Sequence, residues 1–137
     1  MLTENDVIDA VCAHLAAAGY EIIQRSYTDA KGIDIVARHP QAARRLLIEA
    51  KGETSSDPRT KRYGRPFDSA QVSVHIREAF GTAAKLKTET HGLGDAVAIA
   101  LPETVLHHRY LNRIKSALDS LGIVVYFVQP DRSVKQG

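Results

Sequence analysis

The sequence predicts an α/β domain, one mixed sheet with helices on both faces. Three observations lead there. Apolar residues recur at helical spacing in three stretches, near the start, over about 70–90 and over 111–121. Strand-like runs lie between them, among them the continuous apolar run "AVAIALP" at 96–102, of a kind covered on both faces. The early strands follow one another through connections short enough for antiparallel pairing. The later ones alternate with helices, and such crossovers are normally right-handed and parallel.

Each element has its own signals. Thr3 caps the first helix, with Asp6 completing a capping-box-like arrangement; Val7, Ile8, Val11, Leu15 and Ala18 follow on one stripe, and Gly19 ends it. "YEIIQRSY" (20–27) reads as a strand and "TDAKG" as a turn. Residues 33–38 and 45–51 read as two strands around the short connection "HPQAAR". The stretch 52–67 contains Gly, Pro and Ser without apolar period and is predicted as a long loop, functional or mobile. Asp68 or Ser69 then caps a helix with Val72, Ile76, Ala79, Phe80, Ala83 and Leu86 inward. "HGLGD" is a turn whose GxG is too short a signal for a nucleotide site. Leu111, Ile114, Leu118 and Leu121 mark one last helix, stopped by Gly122, and "IVVYFVQP" (123–130) is the final strand. The tail "DRSVKQG" is expected to fray.

Composition narrows the function classes. The 137 residues suit a single domain, 1–137, with no repeat or dividing linker, and 44% apolar with 25% charged residues reads as soluble and globular. No apolar run approaches the ~18 residues of a membrane span. The opening residues lack the basic-then-apolar order of a signal peptide, and a lone cysteine, Cys12, fits a reducing cytoplasm, so a cytoplasmic location is expected. The net charge of +2 is unevenly spread. Residues 1–21 carry acids and no Lys or Arg, while "DPRTKRYGR" (57–65) carries Arg59, Lys61, Arg62 and Arg65 against Asp57. Such a loop is either a solvated surface or a contact for a phosphate-bearing partner.

Several other arrangements carry no chemistry. Cys12 and His14 stand two apart on a helix and do not face one another, so no zinc site is expected. His107 and His108 are read as surface residues. No Gly-Lys-Ser/Thr loop supports ATP use, and no nucleophile elbow surrounds a serine.

The stretch "GIDIVARHPQAARRLLIEAKGE" (32–53) is different. Two apolar strands carry Asp34, Glu49 and Lys51 near one end, and charges inside a sheet are costly unless paired, hydrogen-bonded or bound to a metal. Alternation puts Glu49 and Lys51 on one face. A turn centred between Gln41 and Ala42 sets Val36 opposite Leu47 and Asp34 opposite Glu49. It leaves Ile33, Ile35, Ala37, Leu46, Ile48 and Ala50 on the other face. A one-residue slip would send Asp34 to that face. Two carboxylates a cross-strand distance apart call for positive charge between them. Lys51 alone, in a structural network, is one answer. A divalent ion is the other, and Mg²⁺ is usually held by one or two carboxylates plus waters and substrate phosphate.

"GIDIVA" followed by "LLIEAKG" resembles the PD-(D/E)xK nuclease superfamily, with the restriction-endonuclease-like fold, and most of all its branch of Mrr-like restriction endonucleases and archaeal Holliday-junction resolvases. The resemblance covers about residues 3–101, whose predicted αβββαβ order agrees with the family core, leaving a C-terminal αβ extension. It implies Asp34 and Glu49 as ligands of Mg²⁺ (or Mn²⁺), the main-chain carbonyl of Ala50 as a further ligand, and Lys51 serving the attacking water. Glu4 is the match for an acid that family members often add from the first helix; its other reading is a solvent-facing charge favoured by the helix dipole. Gln71 fits the glutamine of the helix after the Glu-x-Lys strand. Where a subset of the family has a tyrosine, this chain has His75, a candidate phosphate contact or a helix residue at the core rim. Ile33 stands where the motif's proline would be.

The expected function is therefore metal-dependent endonucleolytic hydrolysis of DNA, with phosphate contacts from Arg59, Lys61, Arg62 and Arg65. Two alternatives stand beside it: a non-catalytic DNA-binding or protein-interaction module on the same fold, and a nuclease subunit to which a partner delivers DNA. Cutting both strands of a duplex would call for a homodimer or sequential nicking.

Overall fold

The computed structural model describes residues 1–27, 31–55 and 57–137. The elements run α1 (Glu4–Ala17), β1 (Glu21–Arg25), β2 (Ile35–Arg38), β3 (Arg45–Ala50), α2 (Ser69–Glu89), β4 (Ala96–Pro102), α3 (Val105–Asn112), α4 (Lys115–Leu121), β5 (Val124–Val128) and β6 (Val134–Gln136). Residues 28–30 of the predicted turn at 28–32, and Ser56 of the predicted loop, lie outside the described residues.

The strands form one six-stranded sheet in chain order, β1 to β6. β1, β2 and β3 are an antiparallel meander, β3, β4 and β5 are parallel, and β6 returns antiparallel to β5. The sheet is thus mixed, as the pattern of short and helical connections predicts. Strand alternation divides the core in two. Ile35, Ala37, Leu46, Ile48 and Ala50 pack with Val7, Ile8, Val11 and Leu15 of α1 on one face. Val36, Leu47, Val97, Ile99 and Leu101 pack with α2, α3 and α4 on the other. Each fully buried Leu or Ile among them contributes ~1.5–3 kcal/mol of transfer free energy. No helix among the described residues is long and apolar enough to cross a membrane.

Both long helices start as their sequences dictate. The Thr3 hydroxyl accepts from Asp6 N while the Asp6 carboxylate accepts from Thr3 N. Asp68 and Gln71 repeat this capping box at the head of α2.

Four details depart from the sequence reading. The tail does not fray: Gln129 N donates to Ser133 O at 2.8 Å, the Asp131 carboxylate accepts from Ser133 N at 2.9 Å, and the turn feeds Val134–Gln136 into β6. The last helix is two. The end of α3 tightens into bonds from Arg113 N to Tyr110 O and from Ile114 N to Leu111 O, an i→i+3 pattern that interrupts the α-helix before α4. Ile33, ahead of β2 and outside strict alternation, packs on the α2 side. His107 is 1% exposed rather than a surface residue, because α3 packs against α2 and turns that face inward.

Candidate active site

β2 and β3 pair Val36 with Leu47 and Ile35 with Ile48. One further step in this register sets Asp34 opposite Glu49. Asp34 has left the ladder but is held at both ends: its carbonyl accepts from Ser26 N at 2.8 Å, and its Oδ2 accepts from Ala50 N at 2.9 Å. Asp34 is therefore tied to the last residue of β3, where the parallel strands present their carboxyl ends.

The electrostatics show a strained acid pair. Burial pushes the Glu49 carboxyl up to about 7, and the Asp34 charge adds to the rise; Lys51 opposes it and Glu4 reinforces it. Burial also raises Asp34, against the Ala50 N–H and the Lys51 charge. The two carboxyls are close enough for a protonated Glu49 to hydrogen-bond Asp34. Lys51 does not neutralise them at close range. Its Nζ is 3.9 Å from Glu49 Oε1 and leans towards Glu78 Oε2 at 3.3 Å.

Glu78 belongs to a stripe on α2 formed by Gln71, His75, Glu78 and Thr82, beside the core stripe of Val72, Ile76, Ala79 and Ala83. His75 lines a cavity of about 190 Å³ together with Glu4, Lys51, Gly52, Thr54, Ser55, Asp57 and Phe67. Thr82 lines another of about 300 Å³ that reaches Glu49, Gly32 and Ile33. On the helix Glu78 stands between the two. The His75 ring packs edge-on against Phe67 at 4.7 Å, its buried Nδ1 has no hydrogen-bond partner, and burial and the Lys51 charge depress its pKa. Gln71 commits its side-chain oxygen to the α2 cap.

Glu4 reaches the site because the chain start is docked onto the segment after Lys51. Glu53 N donates to Leu2 O at 2.8 Å, and Thr3 bridges to Thr54. Gly52 permits the approach: a Cβ there would lie 2.3 Å from Glu4 N and 2.6 Å from Thr3 C. The predicted loop is pinned as well. The buried Thr54 hydroxyl sits 2.7 Å from Arg65 O and 3.1 Å from Arg62 O. Lys61, Arg62 and Arg65 are exposed, and the Arg62 charge is felt at His75. Arg59, also exposed, pairs with Asp57 at 3.0 Å, an exposed ion pair of small worth.

Sequence reasoning missed Glu78, Gly52 and His107. The 71–75–78–82 spacing would have found Glu78. No local signal marks Gly52, whose constraint comes from a distant backbone, or His107, whose Nδ1 lies 2.6 Å from the Thr104 hydroxyl that caps α3 while its burial drives its pKa to about 4.

Among the described residues no three or more His, Cys, Asp or Glu side chains converge as metal ligands. Asp34 and Glu49 with the carbonyl of Ala50 nonetheless match what Mg²⁺ usually takes from a protein, one or two carboxylates with water completing the octahedron. An acid pair that burial keeps from double ionisation, and that Lys51 compensates only in part, is a donor set suited to a further cation.

Comparison with known proteins places the architecture first and a particular neighbour second. No protein-family model and no curated protein sequence matches the chain. In fold it is similar to the crystal structure of an FdxN element excision controlling factor protein from Anabaena variabilis, with a TM-score of 0.60 over 96% of this chain and 97% of that one, at 15% sequence identity. At that identity the likeness is one of fold.

Proposed function

We propose that this chain is a metal-dependent endonuclease of the PD-(D/E)xK type that hydrolyses phosphodiester bonds in DNA. The observation that carries the reading is the β2–β3 register, which sets Asp34 opposite Glu49 with Lys51 two residues on, both acids raised by burial and only partly compensated by Lys51. The αβββαβ order is that of the restriction-endonuclease-like core. The fold neighbour's name, an excision controlling factor, is in keeping with a DNA-related role.

The chain's own groups have distinct tasks. Asp34, Glu49 and the Ala50 carbonyl would hold Mg²⁺ or Mn²⁺, which supplies charge neutralisation at the scissile phosphate. The Ala50 N–H fixes the Asp34 carboxylate so that one oxygen stays directed by the backbone. The Lys51 ammonium orients the attacking water and stabilises negative charge developing on the phosphate. Glu78 holds that ammonium from the opposite wall. Lys61, Arg62 and Arg65 track the DNA backbone, so binding falls steeply with salt.

The test is incubation of the protein with plasmid, linear and branched DNA in Mg²⁺ or Mn²⁺. Cleavage is expected, reduced by at least ~10²-fold in Asp34→Ala and in Lys51→Ala. Cleavage that survives both substitutions refutes the site. Tight DNA binding without cleavage of any form would support the binding-module reading instead.

A further inference from the structure

Tyr63, within the basic segment 57–65, is 54% exposed. The other aromatic side chains are occupied: the Tyr27 hydroxyl donates to Asp9, Tyr110 meets Ser69, and the Phe67 and Phe127 rings pack on His75 and His108. Among the described residues no ring contact or side-chain hydrogen bond engages Tyr63. A half-exposed aromatic ring with no ring partner among the described residues has a face open to a ligand.

Its backbone, by contrast, is held. Tyr63 N donates to Thr60 O at 3.3 Å, Ser55 bridges to Tyr63, and the buried Thr54 hydroxyl reaches the carbonyls of Arg62 and Arg65 on either side. Gly64, at φ +75°, turns the chain immediately afterwards in a conformation that disfavours side-chain-bearing residues. The ring is thus presented on a fixed support, which lowers the ordering cost of anything that docks on it. Lys61, Arg62 and Arg65, exposed and within two residues of it in the chain, add positive charge, and Ser55, its bridge partner, lines the same cavity as Lys51.

A flat ring in a basic segment, bridged to a residue of the cavity that Lys51 lines, suits an unpaired base: the base stacks while the cations hold its phosphates. A fully paired duplex offers no free base face at this position. We propose that Tyr63 is a stacking platform for an unpaired base, and that the favoured substrate is DNA with single-stranded or unpaired nucleotides beside the scissile phosphate. This deepens the nuclease reading and rests on it for the word substrate, but the stacking itself is measured without cleavage.

The experiment is fluorescence anisotropy with Asp34→Asn protein and no divalent cation, on oligonucleotides of one sequence presented as duplex, as single strand and as duplex with a short unpaired gap. The single-stranded and gapped forms are expected to bind ~10-fold tighter than the duplex. Adding Tyr63→Ala should remove ~10-fold from these two and change duplex binding by less than ~2-fold, with an unaltered salt slope, while Tyr63→Phe keeps the preference. Equal losses on paired and unpaired DNA, no loss on either, or no DNA binding at all would overturn the proposal. Two failures are told apart in parallel cleavage assays on the wild-type protein. Absence of cleavage with the Tyr63-dependent preference intact sinks the nuclease reading alone, and cleavage with Tyr63→Ala indifferent to strandedness sinks the stacking alone.

Discussion

At the first residue of β3, Arg45 meets Asp95; near its last, Glu49 meets Asp34. The Arg45 guanidinium places Nη2 and Nε 2.7 and 3.2 Å from Asp95 Oδ2, and Arg45 N reaches Oδ1 at 3.0 Å. Both oxygens of Asp95 are engaged, and the hydrogen bonds from Arg45 hold its carboxyl below the usual carboxylate range. At the other end the buried carboxyls have one backbone N–H between them and a lysine that leans elsewhere, and both are raised. One strand therefore carries two acid sites with opposite responses. Satisfied charge serves the fold; under-compensated charge is what the nuclease proposal predicts for a site that binds a cation.

The largest effect on stability is expected from Gly52→Ala, which attacks the support of the acid-bearing end of β3. The added Cβ meets Glu4 N and Thr3 C, backbone atoms that cannot rotate away, so α1 must shift from β3. A loss of about 2–3 kcal/mol is expected in urea unfolding. Stability equal to the wild type would show the docking to be loose.

Next comes Glu49→Gln, read through pH. Because its folded pKa is raised from 4.5 to about 7, the native state keeps a proton that the unfolded chain has already lost. The metal-free wild type is then most stable relative to the variant below the unfolded value and loses that advantage as pH rises through the folded one, by something on the order of 2 kcal/mol. Glu49→Gln should flatten this slope, and Mg²⁺ should restore wild-type stability at the alkaline end by binding the native state. Because the depressed His107 pKa tilts the wild-type curve the other way below about pH 6.5, the test is the difference between the two proteins: a wild-type advantage over Glu49→Gln that does not fall between about pH 5 and about pH 8 would contradict the pH linkage assigned to Glu49.

The smallest effect has the opposite sign. Asp95 has a lowered pKa, so its contribution is present above the unfolded value and disappears as pH falls through the folded one. Asp95→Asn should cost about 1 kcal/mol at neutral pH, since solvent screens the pair through the exposed Arg45 while Asp95 itself is covered, with no difference in acid. Thermal unfolding of both proteins at the two pH values checks it.

How much of this was legible in the sequence depends on the range of the cause. Alternation and a short turn suffice to define the register, so Asp34 opposite Glu49 could be read from residues 32–53 alone, and the observed pairing of Val36 with Leu47 agrees. The capping boxes at Thr3 and Asp68 are equally local. β6 was missed because three residues carry almost no period; its cause is the turn after Pro130, in which Arg132 adopts φ 70°. His107 was missed because a histidine beside a histidine looks solvated until α3 is docked. Lys51 was expected beside the acids, yet its shorter contact is with Glu78, a choice that only the packing of α2 against β3 decides.

The bond from Glu53 N to Leu2 O has a mechanical consequence. It couples the amino end of the chain to the peptide that follows Lys51, while Met1 itself stays 59% exposed. A force or a reporter dye applied at Met1 acts on the acid-bearing end of β3 as if through a short lever, so that end can be watched, or pulled out of alignment, from Met1.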